Sequence, residues 1–81
     1  MNWQIGYYNQ ALQQEIMALP EGLQARYIHL TKRMMEFGPS LGMPHSRAMG
    51  EGLFELRLTA KEGQARVFYC TVVHNQIIIS P

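Results

Sequence analysis

Two arginines, a glutamate and a histidine carry most of the chemistry available to this chain. Arg57 lies in the run LFELRL and Arg66 in ARVFY, on either side of Lys61, Glu62 and Gly63. Both runs are rich in apolar, aromatic and β-branched residues, and a glycine punctuates the gap. Gly52 to Tyr69 therefore reads as a two-stranded antiparallel hairpin. Side chains on a strand alternate between faces, so Phe54, Leu56 and Leu58 share one face while Leu53, Glu55 and Arg57 share the other. On the second strand Val67, Tyr69, Thr71 and Val73 stand opposite in parity to Arg66, Phe68, Cys70 and Val72.

The cost of burying charge selects among registers. Pairing Leu58 with Val67 and Leu56 with Tyr69 fills one face with apolar groups and sends both arginines to the other. A slip of one residue would place Arg57 unpaired in the core, which is very unfavourable. Two guanidiniums on one face form a forked donor set that matches phosphate oxygens in shape and charge. Glu55, on that face, could orient one of them or accept a proton. The competing reading is a cross-strand charge cluster on a solvated surface, where ion pairs contribute little. Leu53, Phe68, Cys70 and Val72 make the same face too apolar to leave in water. A partner protein, a second copy of the chain or a segment lost by truncation would cover part of it.

Other elements must hold this hairpin. Trp3 to Tyr8 alternates, with Trp3, Ile5 and Tyr7 on one side, as a short half-buried strand does. Asn9 caps a first helix from Gln10 to Leu19, in which Leu12, Ile16 and Leu19 share a face and Pro20 enforces the stop. A second helix starts near Glu21 with Leu23, Tyr27, Leu30, Met34 and Phe37 spaced four, three, four and three apart, and it ends at Gly38 and Pro39. Arg26, His29 and Arg33 form a basic stripe along its flank, either a solvated edge or a docking rim for an acidic partner or RNA. Gly38 to Gly52 holds four glycines and two prolines and reads as a long loop, with His45 and Arg47 in its middle. Gln76 to Ile79 is a third strand of the carboxyl-terminal half, after a turn at His74 and Asn75. The order implies an α+β fold in which an N-terminal strand and two helices pack on one face of a mainly antiparallel sheet.

Composition narrows the classes of function. The chain has 81 residues, 47% hydrophobic and 16% charged, which suits one globular domain over residues 1–81. A net charge of +1 supplies no bulk field for nonspecific nucleic-acid binding, so any anion site is local. The single cysteine, Cys70, cannot form an intramolecular disulfide and suits a reducing compartment. The start, MNWQIGYYNQ, lacks the pattern of a signal peptide, and no long apolar stretch follows, so a soluble cytoplasmic protein without membrane contact is expected. There is no GxGxxG, no phosphate loop ending in GK[ST], no HExxH and no CxxC. His29, His45 and His74 are scattered, so neither a metal nor another cofactor is expected. Arg, His, Tyr and Glu remain. They suit phosphodiester cleavage by the 2′-hydroxyl of RNA, which needs a proton acceptor, a proton donor and cations for the developing charge.

The stretch EFGPSLGMPHSRAMGEGLFELR, the hairpin running to ARVFY and the apolar IIIS together resemble the RelE/ParE superfamily of bacterial toxins. Within it they are similar to the HigB-like, phage-derived Gp49-like branch, over nearly the whole chain. The resemblance implies a type II toxin, an endoribonuclease cleaving messenger RNA on the ribosome and silenced by a helix-turn-helix antitoxin. It gives Arg66 the scissile phosphate and matches Arg57 to the ELR motif; Glu55 completes the candidate catalytic set. His45 and Arg47 lie in the loop where such proteins contact RNA, and Lys61 at the hairpin tip joins them. Arg26, His29, Arg33, Phe68 and Val72 are candidates for contact with a partner. Members of this branch usually continue past the last strand with a stretch resembling HAFxKKTQKTP, and Ser80 and Pro81 follow Ile79 here, so a missing carboxyl-terminal segment is expected. Two other readings stay open: a truncated binding module that holds its antitoxin or pairs with itself through the last strand, and a ParE-like inhibitor of DNA gyrase.

Overall fold

Residues 2–81 are described by a computed structural model. Asn9, in an extended conformation, accepts a hydrogen bond from the Leu12 N–H at 2.8 Å and so opens α1 (Gln10–Met17), as its residue type predicts. The chain then turns at Pro20 into α2 (Glu21–Phe37). Leu23, Tyr27, Leu30 and Met34 of α2 are buried, following their spacing. Phe37 is 70% exposed. The apolar period runs to the end of the helix, but the core beneath it stops a turn earlier. Thr31 is buried as well, its hydroxyl donating to the Tyr27 carbonyl at 2.8 Å, which satisfies a polar group within its own helix.

Five strands form one sheet: β1 (Gln4–Tyr7), β2 (Ser46–Gly50), β3 (Leu53–Ala60), β4 (Gly63–Val72) and β5 (Gln76–Ser80). Their order is β1-β5-β4-β3-β2, with β1 parallel to β5 and every other neighbour antiparallel. The two helices pack against this mixed sheet, an α+β architecture consistent with the RelE-like fold. Leu56, Leu58, Val67, Tyr69, Ile77 and Ile79 share the helix-covered face and are the buried residues of the sheet. No helix is long and apolar enough to cross a membrane among the described residues.

Within the sheet, the structure corrects the sequence-based expectation in two further places. The first is β2, which occupies part of the segment read as a loop. Its residues SRAMG include no β-branched side chain and no clean alternation, so nothing local marks a strand; pairing with β3 creates it. The glycines counted as loop signals form its hairpin turn instead. Gly50, Glu51 and Gly52 all take positive φ, at 93°, 56° and 79°, a region glycine enters without penalty.

The second correction is the phase of the β3–β4 pairing. Leu56 faces Val67 and Leu58 faces Ala65, two residues from the expected register, with every side chain still on its expected face. Alternation selects the face and leaves steps of two undetermined. The observed phase places Phe54 opposite Tyr69, their rings stacked at 5.2 Å. It also makes Lys61 and Glu62 the two-residue turn, from which Glu62 accepts a hydrogen bond from the Gly22 N–H at 2.9 Å in the first turn of α2.

Candidate functional site

The corrected phase sets Arg57 directly opposite Arg66. The Arg57 N–H donates to the His45 carbonyl at 2.9 Å, away from β4, so the arginines form a non-hydrogen-bonded pair, whose side chains lie closest together. Like charges so placed repel. Glu55 offsets this: one carboxylate oxygen lies 2.9 Å from Arg57 Nε and the other 3.7 Å from Arg66 Nε. The carboxylate side chain is 5% exposed, whereas those of Arg57 and Arg66 are 35% and 68% exposed. A buried anion thus underlies two cations that reach outward. Both contacts use Nε and do not engage the four N–H donors on the terminal nitrogens of each guanidinium.

Arg47 stands opposite Glu55 on β2, exposed. The hydrogen bond from Arg57, helped by the charges of Arg66, Arg57 and Arg47, holds the Glu55 carboxyl below the usual carboxylate range despite its burial. Three guanidiniums against this one ionised carboxylate leave a surplus of two positive charges here, on a chain whose net charge is +1. The lowered proton affinity suits Glu55 to orienting the arginines better than to accepting a proton. Because its folded value lies below its unfolded one, Glu55 contributes stability that is present above about pH 4.5 and lost as pH falls through the folded value. Glu55→Gln is therefore expected to flatten the stability profile below pH 4.5, read by chemical denaturation at a series of pH values; an unchanged acid limb would show that the pairing contributes nothing.

The loop before β2 forms the wall of the site. His45 is partly buried and, through its bond from Arg57, extends the β2 ladder by one residue. His45, Arg57 and Arg66 thereby occupy one row across three strands, and Arg47, Glu55 and Phe68 the next. Ser46, which the sequence did not single out, and Tyr69, which it set on the face opposite Arg66, shape this wall. Buried Ser46 accepts hydrogen bonds on Oγ from the Leu41 and Gly42 N–H groups at 2.9 and 3.1 Å. The Tyr69 hydroxyl, on the opposite sheet face, donates to the Pro39 carbonyl at 2.6 Å, and burial raises its pKa. A tyrosine held in the core in this way cannot serve as the proton donor beside Arg66. Tyr69→Phe leaves the Pro39 carbonyl without its donor and is expected to cost about 1–2 kcal/mol, read as a lowered urea midpoint.

A cleft of about 230 Å³ opens next to the arginine pair, bounded by Pro44, Thr59 and Gln64. Lys61 sits at the exposed tip of the hairpin. The candidate partner contacts are not brought together. Arg26, His29 and Arg33 lie on α2, over the face that carries Val67 and Tyr69, whereas Phe68 and Val72 point to the opposite face. Phe68 is partly buried, and Leu53 and Val72 on its face are 37% and 42% exposed.

Two helices packed on one face of a five-stranded mixed sheet make an α+β fold consistent with the RelE-like type. The chain belongs to the family described as phage derived protein Gp49-like (DUF891), whose model matches residues 14–80, and this is a RelE/ParE-type toxin-like family. No curated protein and no solved structure matches the chain.

Proposed function

We propose that the protein is the toxin of a type II toxin–antitoxin system of the HigB-like branch, an endoribonuclease that cleaves messenger RNA on the ribosome and is held inactive by a helix-turn-helix antitoxin. The observation that carries this reading is the Arg57–Arg66 pair, set face to face over the ionised, buried Glu55. In the proposed reaction the 2′-oxygen of RNA attacks the adjacent phosphorus and the bond from phosphorus to the 5′-oxygen breaks. A 2′,3′-cyclic phosphate and a free 5′-hydroxyl result, with no water consumed. One proton leaves the 2′-hydroxyl and one joins the departing oxygen.

Each residue has a role in that scheme. Arg66, the more exposed of the pair, binds the scissile phosphate, and Arg57 adds donors to the charge that builds on its oxygens. Glu55 sets the direction of both guanidiniums. His45, abreast of Arg57, is the imidazole placed to carry a proton. Arg47 and Lys61 bind neighbouring phosphates.

A second reading, a binding module that holds its antitoxin or pairs with a second copy, is favoured by the apolar patch of Leu53, Phe68 and Val72 beside the arginines. Purified protein incubated with ribosomes and a defined messenger RNA separates the two. Discrete cuts ending in cyclic phosphates, together with growth arrest on expression and rescue by the antitoxin, are expected. Intact message at high protein concentration would sink the nuclease assignment.

A further inference from the structure

The geometry points to a nucleobase subsite beside the arginine pair, formed by Pro44, Thr59 and Gln64, that takes the base of the nucleotide whose phosphate the arginines hold. This inference rests on the phosphate role proposed for Arg57 and Arg66. Thr59 and Gln64 are direct cross-strand partners, two pairs nearer the hairpin tip than Arg57 and Arg66, with Leu58 and Ala65 between. By alternation they stand on the same sheet face as the arginines, and both are exposed. Going down this face from the tip, a hydroxyl and a carboxamide come first, then two guanidiniums, then the buried Glu55 carboxylate.

These groups line one cleft with Pro44, which the loop organised by Ser46 and Tyr69 brings against the hairpin. Its volume, about 230 Å³, falls below the roughly 300–1,000 Å³ of pockets that enclose whole small molecules. It suits one planar ring system, with the phosphate left outside on the arginines. The pyrrolidine ring of Pro44 supplies a rigid apolar wall for the face of a base. The Gln64 carboxamide offers one donor and one acceptor edge, the pattern that pairs with N6 and N7 of adenine. The Thr59 hydroxyl can donate or accept beside it. Unpaired RNA bases are recognised through such a combination of face contact and edge hydrogen bonds.

The test compares adenosine 5′-monophosphate with ribose 5-phosphate, which carries the same phosphate and no base, by NMR titration of the full chain. Adenosine monophosphate is expected to bind about tenfold more tightly, as one well-matched base contact allows, and to shift the Gln64 side-chain amide signals. Gln64→Ala should bring its affinity down to that of ribose 5-phosphate, while Arg66→Ala weakens both ligands alike. Equal affinities for the two ligands in the wild-type protein, or a Gln64→Ala protein that keeps the full difference, would overturn the subsite. Failure of the nuclease reading looks different: message stays intact while adenosine monophosphate still outcompetes ribose 5-phosphate. Should Gln64→Ala unfold, Gln64→Glu provides the second variant. It keeps the side-chain length and removes the amide donors; its charge weakens both ligands, and it should erase the preference for adenosine monophosphate over ribose 5-phosphate, a preference kept in full overturning the subsite.

Discussion

Arg66→Ala is expected to abolish growth arrest and to slow RNA cleavage by about 10²–10³-fold, the usual effect of removing one preorganised donor from a developing anionic charge. Its effect on stability should be small. The side chain is 68% exposed and its contact with Glu55 spans 3.7 Å, an arrangement worth about 0–1 kcal/mol. The two readouts thus move apart: cleavage collapses while the thermal midpoint stays near that of the wild type. Arg66→Lys, which keeps the charge but loses the planar fork, should recover only part of the rate. An Arg66→Ala protein as toxic as the wild type would refute the assigned mechanism. Arg57 makes a less clean test. Its 2.9 Å bond to Glu55 means that Arg57→Ala would also strip the buried carboxylate of its closest partner.

Leu56→Ala should have the largest effect on stability. Leu56 is fully buried on β3 and packs in the core that α2 covers. Emptying such a site costs about 2–5 kcal/mol. At the usual ~0.05–0.15 kcal/mol per residue, the 81 residues supply only about 4–12 kcal/mol in total. The variant should therefore show a strongly lowered urea midpoint with an unchanged slope, and at the low end of that range it would not fold. Val72→Ala, on the exposed face, should stay within about 0.5 kcal/mol of the wild type. Activity follows stability here because Leu56 lies between Glu55 and Arg57 on the same strand. If Leu56→Ala kept its midpoint, the helix-covered face would not be the core.

What could be read locally was read from period and punctuation. A repeat of three and four placed α2, Asn9 and Pro20 bounded its neighbour, and alternation put Arg57, Arg66 and Glu55 on one face of a hairpin. The family likeness of the FGPSLGMP and GLFELR stretches added the toxin class, which agrees with the family matched over residues 14–80.

The remainder depended on partners distant in the chain. Alternation repeats every two residues, so it determined the face of each arginine and could not determine which residue stood opposite; the Phe54–Tyr69 stack and the bond from Gly22 to Glu62 accompany the phase that sets Arg57 against Arg66. β2 carries almost no strand signal of its own, because its pairing energy comes from β3, and with β2 came the row that aligns His45 with the arginines. The sequence by itself determined that two guanidiniums and a carboxylate share a surface. Only the tertiary structure decided that the carboxylate is buried between them, ionised, with a walled cleft at their side. Burial and charge coupling depend on which segments meet, and no local period encodes that.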